Sequence, residues 1–382
     1  MEDALNQIKA LAEGADDHAR KALMVRLRDL MISLEDPDDT VERIALAPLE
    51  PFTAKTGVTL RIFHRLSASE APLHVEALAE EAGADPVLLA GRLLRYWASV
   101  AMIAEFDTDT FTANTVTRVL ASPKGESYVN LYYELIFPVM YELPAFLERT
   151  GHVNPTDQSH LPMQTAYGWE GDLFAYFKAF PAKAALFDMH MQVQRDLTTN
   201  WARLDALIQS KPARADEILF VDVGGGAGHQ CQRFRERFPD LPGRMVLQDL
   251  PQVIQGARSI PGVENMGYNI FTPQPLKNAK FYYMRGVLHD FPDAKCKEIL
   301  ANLVAAMGPD SAILIDEMVL PDKNISWVAT GMDLQMMANL GSQERTRSHW
   351  RKLLASVGLQ VNEVILHGVD AYQGVTVATK AA

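Results

Sequence analysis

Only two cysteines, Cys231 and Cys296, occur in 382 residues, too few and too far apart for a disulfide framework and at no spacing that suggests a metal site. A reducing, cytoplasmic setting is expected. Basic charge is also short: 36 Lys and Arg stand against 48 Asp and Glu, a formal net charge of −12. An acidic surface repels phosphate backbones and anionic lipid heads, so neither nucleic acid nor a membrane is an expected partner. No apolar run reaches membrane-spanning length, and the first thirty residues lack a signal-peptide pattern. Low-complexity stretches are missing as well. What is present, 48% hydrophobic and 22% charged residues, is the composition of an ordinary globular protein long enough for two domains.

From Ala4 to Leu34 apolar residues recur every three to four positions (Leu5, Ile8, Leu11, then Leu23, Val25, Leu27, Leu30), which predicts amphipathic helices. Their long apolar faces suggest a homodimer, with burial inside one chain as the alternative. Between Leu73 and Asn114 a helix over Val75–Ala82, a Gly83–Pro86 turn, a second helix to Ser99 and a hairpin within Met102–Thr112 follow one another, the order of a winged helix-turn-helix. The second helix carries only Arg92 and Arg95 as cations, few for groove contacts, so a structural or dimerising role is favoured over DNA binding. From Pro123 to Asp205 the pattern is helical and rich in aromatics and Met, including Met163, Tyr167, Trp169, Phe174, Phe177 and Phe187. Such residues fill helix interfaces, and their density also suits a flat apolar ligand slot.

Beyond Glu217 short apolar strands alternate with helices: Ile218–Val223, Met245–Gln248, Phe281–Met284, Ala312–Asp316, Val361–Leu366 and Val375–Ala378. This alternation implies an α/β, doubly wound, mostly parallel Rossmann-like sheet. The loop between the last two strands (Gly368, Asp370, Gly374) is too short for a crossover helix, so they should pair antiparallel as an edge hairpin.

The first of these strands runs into Asp222-Val223-Gly224-Gly225-Gly226-Ala227-Gly228, glycines where backbone turns tightly and admits a ligand. A dinucleotide fingerprint would need its third glycine at position 229, which is His229, so a pyrophosphate cradle is disfavoured. Downstream, Asp249 in Leu247-Gln248-Asp249-Leu250-Pro251 ends the second strand, where a carboxylate can accept both ribose hydroxyls; the alternative is an N-cap for a helix from Pro251.

With these residues in view, the chain from Phe220 onward resembles the S-adenosylmethionine-dependent O-methyltransferases of the plant and fungal caffeate- and flavonoid-type class, as a fungal secondary-metabolite member. Its helical, winged-helix N-terminus is similar to their dimerisation domain. The resemblance implies residues 1–119 as that domain and 120–382 as the catalytic domain, with 120–205 binding the acceptor and 206–382 forming the core. It implies Gly224 and Gly226 at the methionyl end, Asp249 at the ribose, Leu250 and Ile270 lining the pocket, and Asn269 where an acid normally reads adenine. Asn still offers a donor and an acceptor. Arg285 stands where the family usually has Lys.

The fourth strand ends in Arg285-Gly286-Val287-Leu288-His289-Asp290-Phe291, at the carboxyl edge where ligands bind in open α/β folds. Glu317 closes the next strand, and Glu344 lies in Gly341-Ser342-Gln343-Glu344-Arg345-Thr346. The resemblance implies this His and two Glu as the catalytic set. Transfer from a sulfonium needs alignment of the acceptor oxygen and removal of its proton. His289 suits the second task, and nearby acids would raise its basicity toward that of a phenol. Asp290 either meets the acceptor or caps a helix from Pro292. Phe187, Met191, Met337 and Asn339 are acceptor contacts implied by the family.

Three functions follow: O-methyl transfer to a hydroxyl of a small planar phenolic or polyketide-type metabolite, with S-adenosylhomocysteine as product; a cofactor-bound pericyclase or dehydratase-type cyclase of the same fold that transfers no methyl, kept open by the departures at Asn269 and Gly286; and, least favoured, a winged-helix regulator.

Overall fold

Two kinds of apolar pattern, helical spacing before residue 210 and short strand-like runs after it, match the two kinds of secondary structure the chain adopts. The structure, a computed structural model, describes residues 2–194, 201–366 and 372–381. It comprises two compact units, Met1–Phe146 with Met163–Asp196, and Leu147–Pro162 with Leu197–Ala382.

The first unit opens with helices Glu2–Glu13, Asp17–Leu34 and Pro37–Leu46. Local chemistry starts them: Asp16 accepts the amide of Ala19 at 2.7 Å, and Asp36 forms a capping box with Asp39 ahead of Pro37. Many of their apolar side chains remain open within the single chain, Leu34 77% and Val41 64% exposed, while Ile8, Leu23 and Leu27 are half-buried. The core begins further on, where Phe63, Trp97 and Phe111 are fully buried. Helix Leu49–Thr59 approaches closely enough that a Cβ on Gly57 would lie 2.5 Å from the Phe63 ring. A three-stranded sheet of β1 (Leu73–His74), β2 (Ala104–Asp107) and β3 (Thr110–Thr112) runs in the order β1-β3-β2. Between β1 and β2 lie helix Val75–Ala82, ended by left-handed Gly83, and a helical run from Pro86 to Ser99 with a π turn at Leu89–Leu94. On that run Arg92 is exposed and Arg95 pairs with Asp109 at 3.1 Å. Further along the chain, the rings of Tyr167 and Tyr176 stack at 4.7 Å, and Tyr176 lies 4.6 Å from Phe180.

The second unit is a seven-stranded sheet of β4 (Ile218–Val223), β5 (Arg244–Asp249), β6 (Val263–Gly267), β7 (Phe281–Arg285), β8 (Ala312–Met318), β9 (Leu359–Leu366) and β10 (Gln373–Lys380), in the order β6-β5-β4-β7-β8-β10-β9. β4 to β8 are parallel; β10 is antiparallel to both β8 and β9. The edge hairpin is therefore present, and its loop residues Gly368 and Asp370 lie outside the described residues. Because strand side chains alternate, Val221, Tyr282, Met284, Ile313 and Ile315 pack on one face, while Phe220, Phe281, Tyr283 and Leu314 pack on the other. β6 is the strand absent from the apolar runs: Val-Glu-Asn-Met-Gly sits at the sheet edge with two exposed polar residues, so burial left little pattern to read. Among the described residues no helix is long and apolar enough to cross a membrane.

Candidate active site

At the carboxyl end of β4 the chain turns through Gly224 to Gly228. Gly224, Gly226 and Gly228 take left-handed φ values of 73, 59 and 86°, a region open chiefly to glycine. Gly225 is required for space instead, since a Cβ there would lie 2.5 Å from Asp222 Cγ and from Leu247 Cδ1. The amides of Gly224 and Gly225 donate to Gln248 O at 2.8 and 3.1 Å, folding the loop over the end of β5.

Gly226 N donates to Asp249 Oδ2 at 2.8 Å and Leu250 N to Asp249 Oδ1 at 2.7 Å, which pins this carboxylate beside the glycine loop. The capping alternative for Asp249 is not realised: the helix from Pro251 has Leu250 at its N-cap and no side-chain cap. On the neighbouring strand Asn269 lies just past β6, exposed, with Oδ1 accepting Phe271 N at 3.1 Å; Ile270 is half-buried against the core. Asp249 is paired in register with Gly267, so glycine loop, Asp249 and Asn269 line up along the carboxyl ends of β4, β5 and β6. An accepting carboxylate, an amide with both hydrogen-bond senses and the 41% exposed Leu250 have the chemistry that a nucleoside with ribose hydroxyls, a heteroaromatic edge and an apolar face demands. Arg285, ending β7, lies 3.6 Å from buried Asp316, which also accepts the Tyr283 hydroxyl at 2.6 Å. Burial pushes the Asp222 carboxyl up to about 7.

The other half of the site is built around a short turn, Leu288–Asp290. His289 Nδ1 meets Glu344 Oε1 at 3.0 Å, and Nε2 lies 3.4 Å from Asp290 Oδ1. Burial disfavours the imidazolium, but Glu344, then Asp290, outweigh it and push His289 up to about 10. Glu317 makes no hydrogen bond or ion pair with the ring, though its charge also helps to raise His289. Its Oε1 accepts the amides of Val287 at 3.0 Å and Leu288 at 2.6 Å, the backbone just ahead of His289, and burial pushes its carboxyl up to about 7 against the opposing charges of His289 and Arg345. Glu317 Oε2 and Glu344 Oε2 are both buried without a hydrogen-bond partner.

Asp290 does not cap the next helix, Asp293–Val304, whose N-cap is Pro292 with no side-chain bond. Burial raises its carboxyl to about 6 despite His289. Glu344 follows helix Trp327–Leu340, which left-handed Gly341 ends. Met337 is half-buried on that helix, while Asn339 is buried with Nδ2 donating to Gln335 O at 2.9 Å. Phe187 and Met191 belong to the first unit, one helical turn apart on Pro181–Gln194, with the Phe187 ring 5.0 Å from Phe177.

Sequence reasoning missed two supports of the site. Asp333, on the helix before Glu344, accepts the Glu344 amide at 2.7 Å. Gln158 donates through Nε2 to Asp290 O at 3.0 Å and Leu340 O at 2.9 Å, across 132 and 182 residues; no local pattern signals so distant a contact.

Comparison with known proteins shows the family and the fold. Residues 151–360 match the model of the O-methyltransferase domain family. The chain is 57% identical over 380 residues to O-methyltransferase ucdC of Aspergillus ustus, covering 100% of both chains. Among solved structures, a LepI complex with S-adenosylmethionine superposes with a TM-score of 0.91 at 36% identity, covering 100% of this chain and 98% of that one. A structure described as a pericyclic reaction enzyme superposes with a TM-score of 0.90 at 36% identity, covering 100% and 99%.

Proposed function

The chain belongs to the S-adenosylmethionine-dependent O-methyltransferase family, and from that premise we propose that it methylates a hydroxyl of a small planar phenolic or polyketide-type metabolite, with His289 as general base. The observation that carries this reading is the 3.0 Å bond between His289 Nδ1 and Glu344 at the same sheet edge as the glycine loop and Asp249. Bound S-adenosylmethionine supplies an electrophilic methyl on a sulfonium, already an excellent leaving group. Gly224, Gly226, Asp249, Leu250, Asn269, Ile270 and Arg285 would hold it. The chain's remaining task is to orient the acceptor oxygen and take its proton. With Nδ1 committed to Glu344, Nε2 is the nitrogen that accepts. Glu344 stabilises the imidazolium that results, Glu317 fixes the backbone beneath it, and Asp290, Met337 and Asn339 contact the acceptor. Phe187 and Met191 keep the same role on the family resemblance alone.

Residues 1–119 are read as a winged-helix dimerisation domain and 120–382 as the catalytic domain, its segment 120–205 serving the acceptor. The exposed apolar residues of the first three helices support a homodimer. Two free, buried thiols, Cys231 and Cys296, are compatible with a cytoplasmic enzyme.

The test is turnover of S-adenosylmethionine labelled on its methyl group against a panel of phenolic and polyketide acceptors, followed by mass spectrometry. Labelled product that disappears in His289→Ala supports the base; label transferred equally by that variant removes His289 from the role. A second reading is favoured by the superposition on a pericyclic reaction enzyme: the cofactor stays bound while His289 protonates a leaving hydroxyl and the acceptor closes a ring. It replaces the first if an acceptor loses water or isomerises with the label unconsumed.

A further inference from the structure

We infer that Arg345 is a positioning residue for His289, a buried clamp that sets where the imidazole stands. Arg345 is 1% exposed. Its Nη1 donates to Leu288 O at 3.0 Å and its Nη2 to Phe291 O at 2.8 Å, the carbonyls on either side of the His289-Asp290 pair. Nε donates to Asp293 Oδ1 at 3.0 Å, and the guanidinium lies 5.2 Å from the Trp350 ring centroid. A planar fork of fixed donors spans two carbonyls in a way that an ammonium cannot.

The same turn is held from the opposite polarity. Glu317 takes the amides of Val287 and Leu288, so acceptors and donors grip the backbone of one short segment from both sides. Arg345 is itself anchored: Leu320 N donates to Arg345 O at 3.1 Å and Arg347 N to Leu320 O at 2.9 Å. The adjacent residue, Glu344, holds the ring. One dipeptide therefore fixes both the imidazole and the backbone that carries it, and the 3.0 Å ring contact depends on the two staying in register. The charged and titratable groups around the clamp are Glu317, Glu344, Asp290, Asp293, Asp333, His289, Cys296, whose Sγ lies 3.3 Å from Nη2, and His349, bonded to Asp293 Oδ2 at 2.7 Å. A buried arginine satisfied by two carbonyls, a carboxylate and an aromatic face would be a packing feature if its carbonyls lay elsewhere. Here both belong to the turn that presents His289.

The consequence for catalysis rests on the general-base reading above, but the test reads the imidazole directly and needs no acceptor. Histidine side chains are labelled with nitrogen-15 in the full chain with S-adenosylhomocysteine bound, and the His289 ring is followed by NMR over pH, assigned with His289→Gln. In Arg345→Lys the charge remains and the fork is lost. His289 is expected to release its proton about tenfold more readily than in wild type, because the Glu344 contact slackens, while affinity for S-adenosylhomocysteine stays within about twofold. An unchanged His289 titration in folded, cofactor-binding Arg345→Lys overturns the inference. Should that variant not fold, Asp293→Asn leaves the guanidinium in place but loosens its hold, and the same displacement of the titration is expected in smaller degree; no displacement again overturns it. Failure of the base reading is separate: His289→Ala would then still transfer methyl, whatever the ring titration does.

Discussion

At the scale of single residues the site is governed by protons held away from their usual pH. His289 is pushed up to about 10, so at neutral pH the free enzyme holds an imidazolium, which cannot accept a proton. The base form grows tenfold with each pH unit until that value is reached. Methyl-transfer kcat/KM is therefore expected to rise with near-unit slope between about pH 7 and 9; a profile already flat above about 6.5, the ordinary imidazole value, would mean that the pairing with Glu344 does not set the base. Glu317 carries the matching stability statement. Its folded value of about 7 lies above the roughly 4.3 of an unfolded glutamate, so the folded state binds the extra proton between the two. This contribution is complete below about 4.3 and is lost as pH rises through 7. Urea midpoints should fall over that window, with the raised Asp222 and Asp290 adding to the slope. Glu317→Gln can still accept from Val287 and Leu288, so its midpoint should vary less with pH and at pH 8 equal or exceed wild type. A variant whose slope matches wild type would assign the titration to other groups.

At the scale of elements, the glycine loop meets two separate demands, backbone handedness at Gly224, Gly226 and Gly228 and space at Gly225. Gly225→Ala needs no forbidden φ but drives a methyl against Asp222 and Leu247. Overpacking of this kind costs on the order of 1–3 kcal/mol, and the loop must shift away from Gln248 to absorb it. The expected result is a lower thermal midpoint with S-adenosylmethionine affinity reduced at least about tenfold, by calorimetry; wild-type affinity would show that the loop yields without moving the ligand side. What could be read in advance follows the same logic. β4, β5, β7 and β8 are buried on both faces and so appear as apolar runs, whereas edge strand β6, with Glu264 and Asn265 exposed, does not. Asp249 and His289 are legible as chemically pointed residues at strand ends, whereas Glu317 and Glu344 are singled out through the family resemblance. Which atoms they meet is not legible. Glu317 bonds backbone rather than the imidazole, and Arg345 reaches carbonyls 54 and 57 residues away, a relation set by the sheet order and by no local spacing.

At the scale of the whole molecule, the first helices of the acidic chain carry apolar side chains that its own core does not absorb. Helix Glu2–Glu13 buries no residue, and neither does Pro37–Leu46, yet both carry helically spaced apolar side chains. Val41 and Ile44 lie on one side of the latter helix, 64% and 63% exposed. Apolar helix faces that form an extended patch are seldom left to water in a stable monomer, and a second copy offers a self-complementary cover. Equilibrium sedimentation at micromolar concentration should then give twice the chain mass for the full chain. Val41→Glu combined with Ile44→Glu places like charges opposite one another across such an interface and should return the single-chain mass, with cofactor affinity retained because both positions lie outside the sheet unit that carries Asp249. If the wild-type chain already sediments as one copy, those helices are covered by something other than themselves, and residues 1–119 lose their proposed dimerising role.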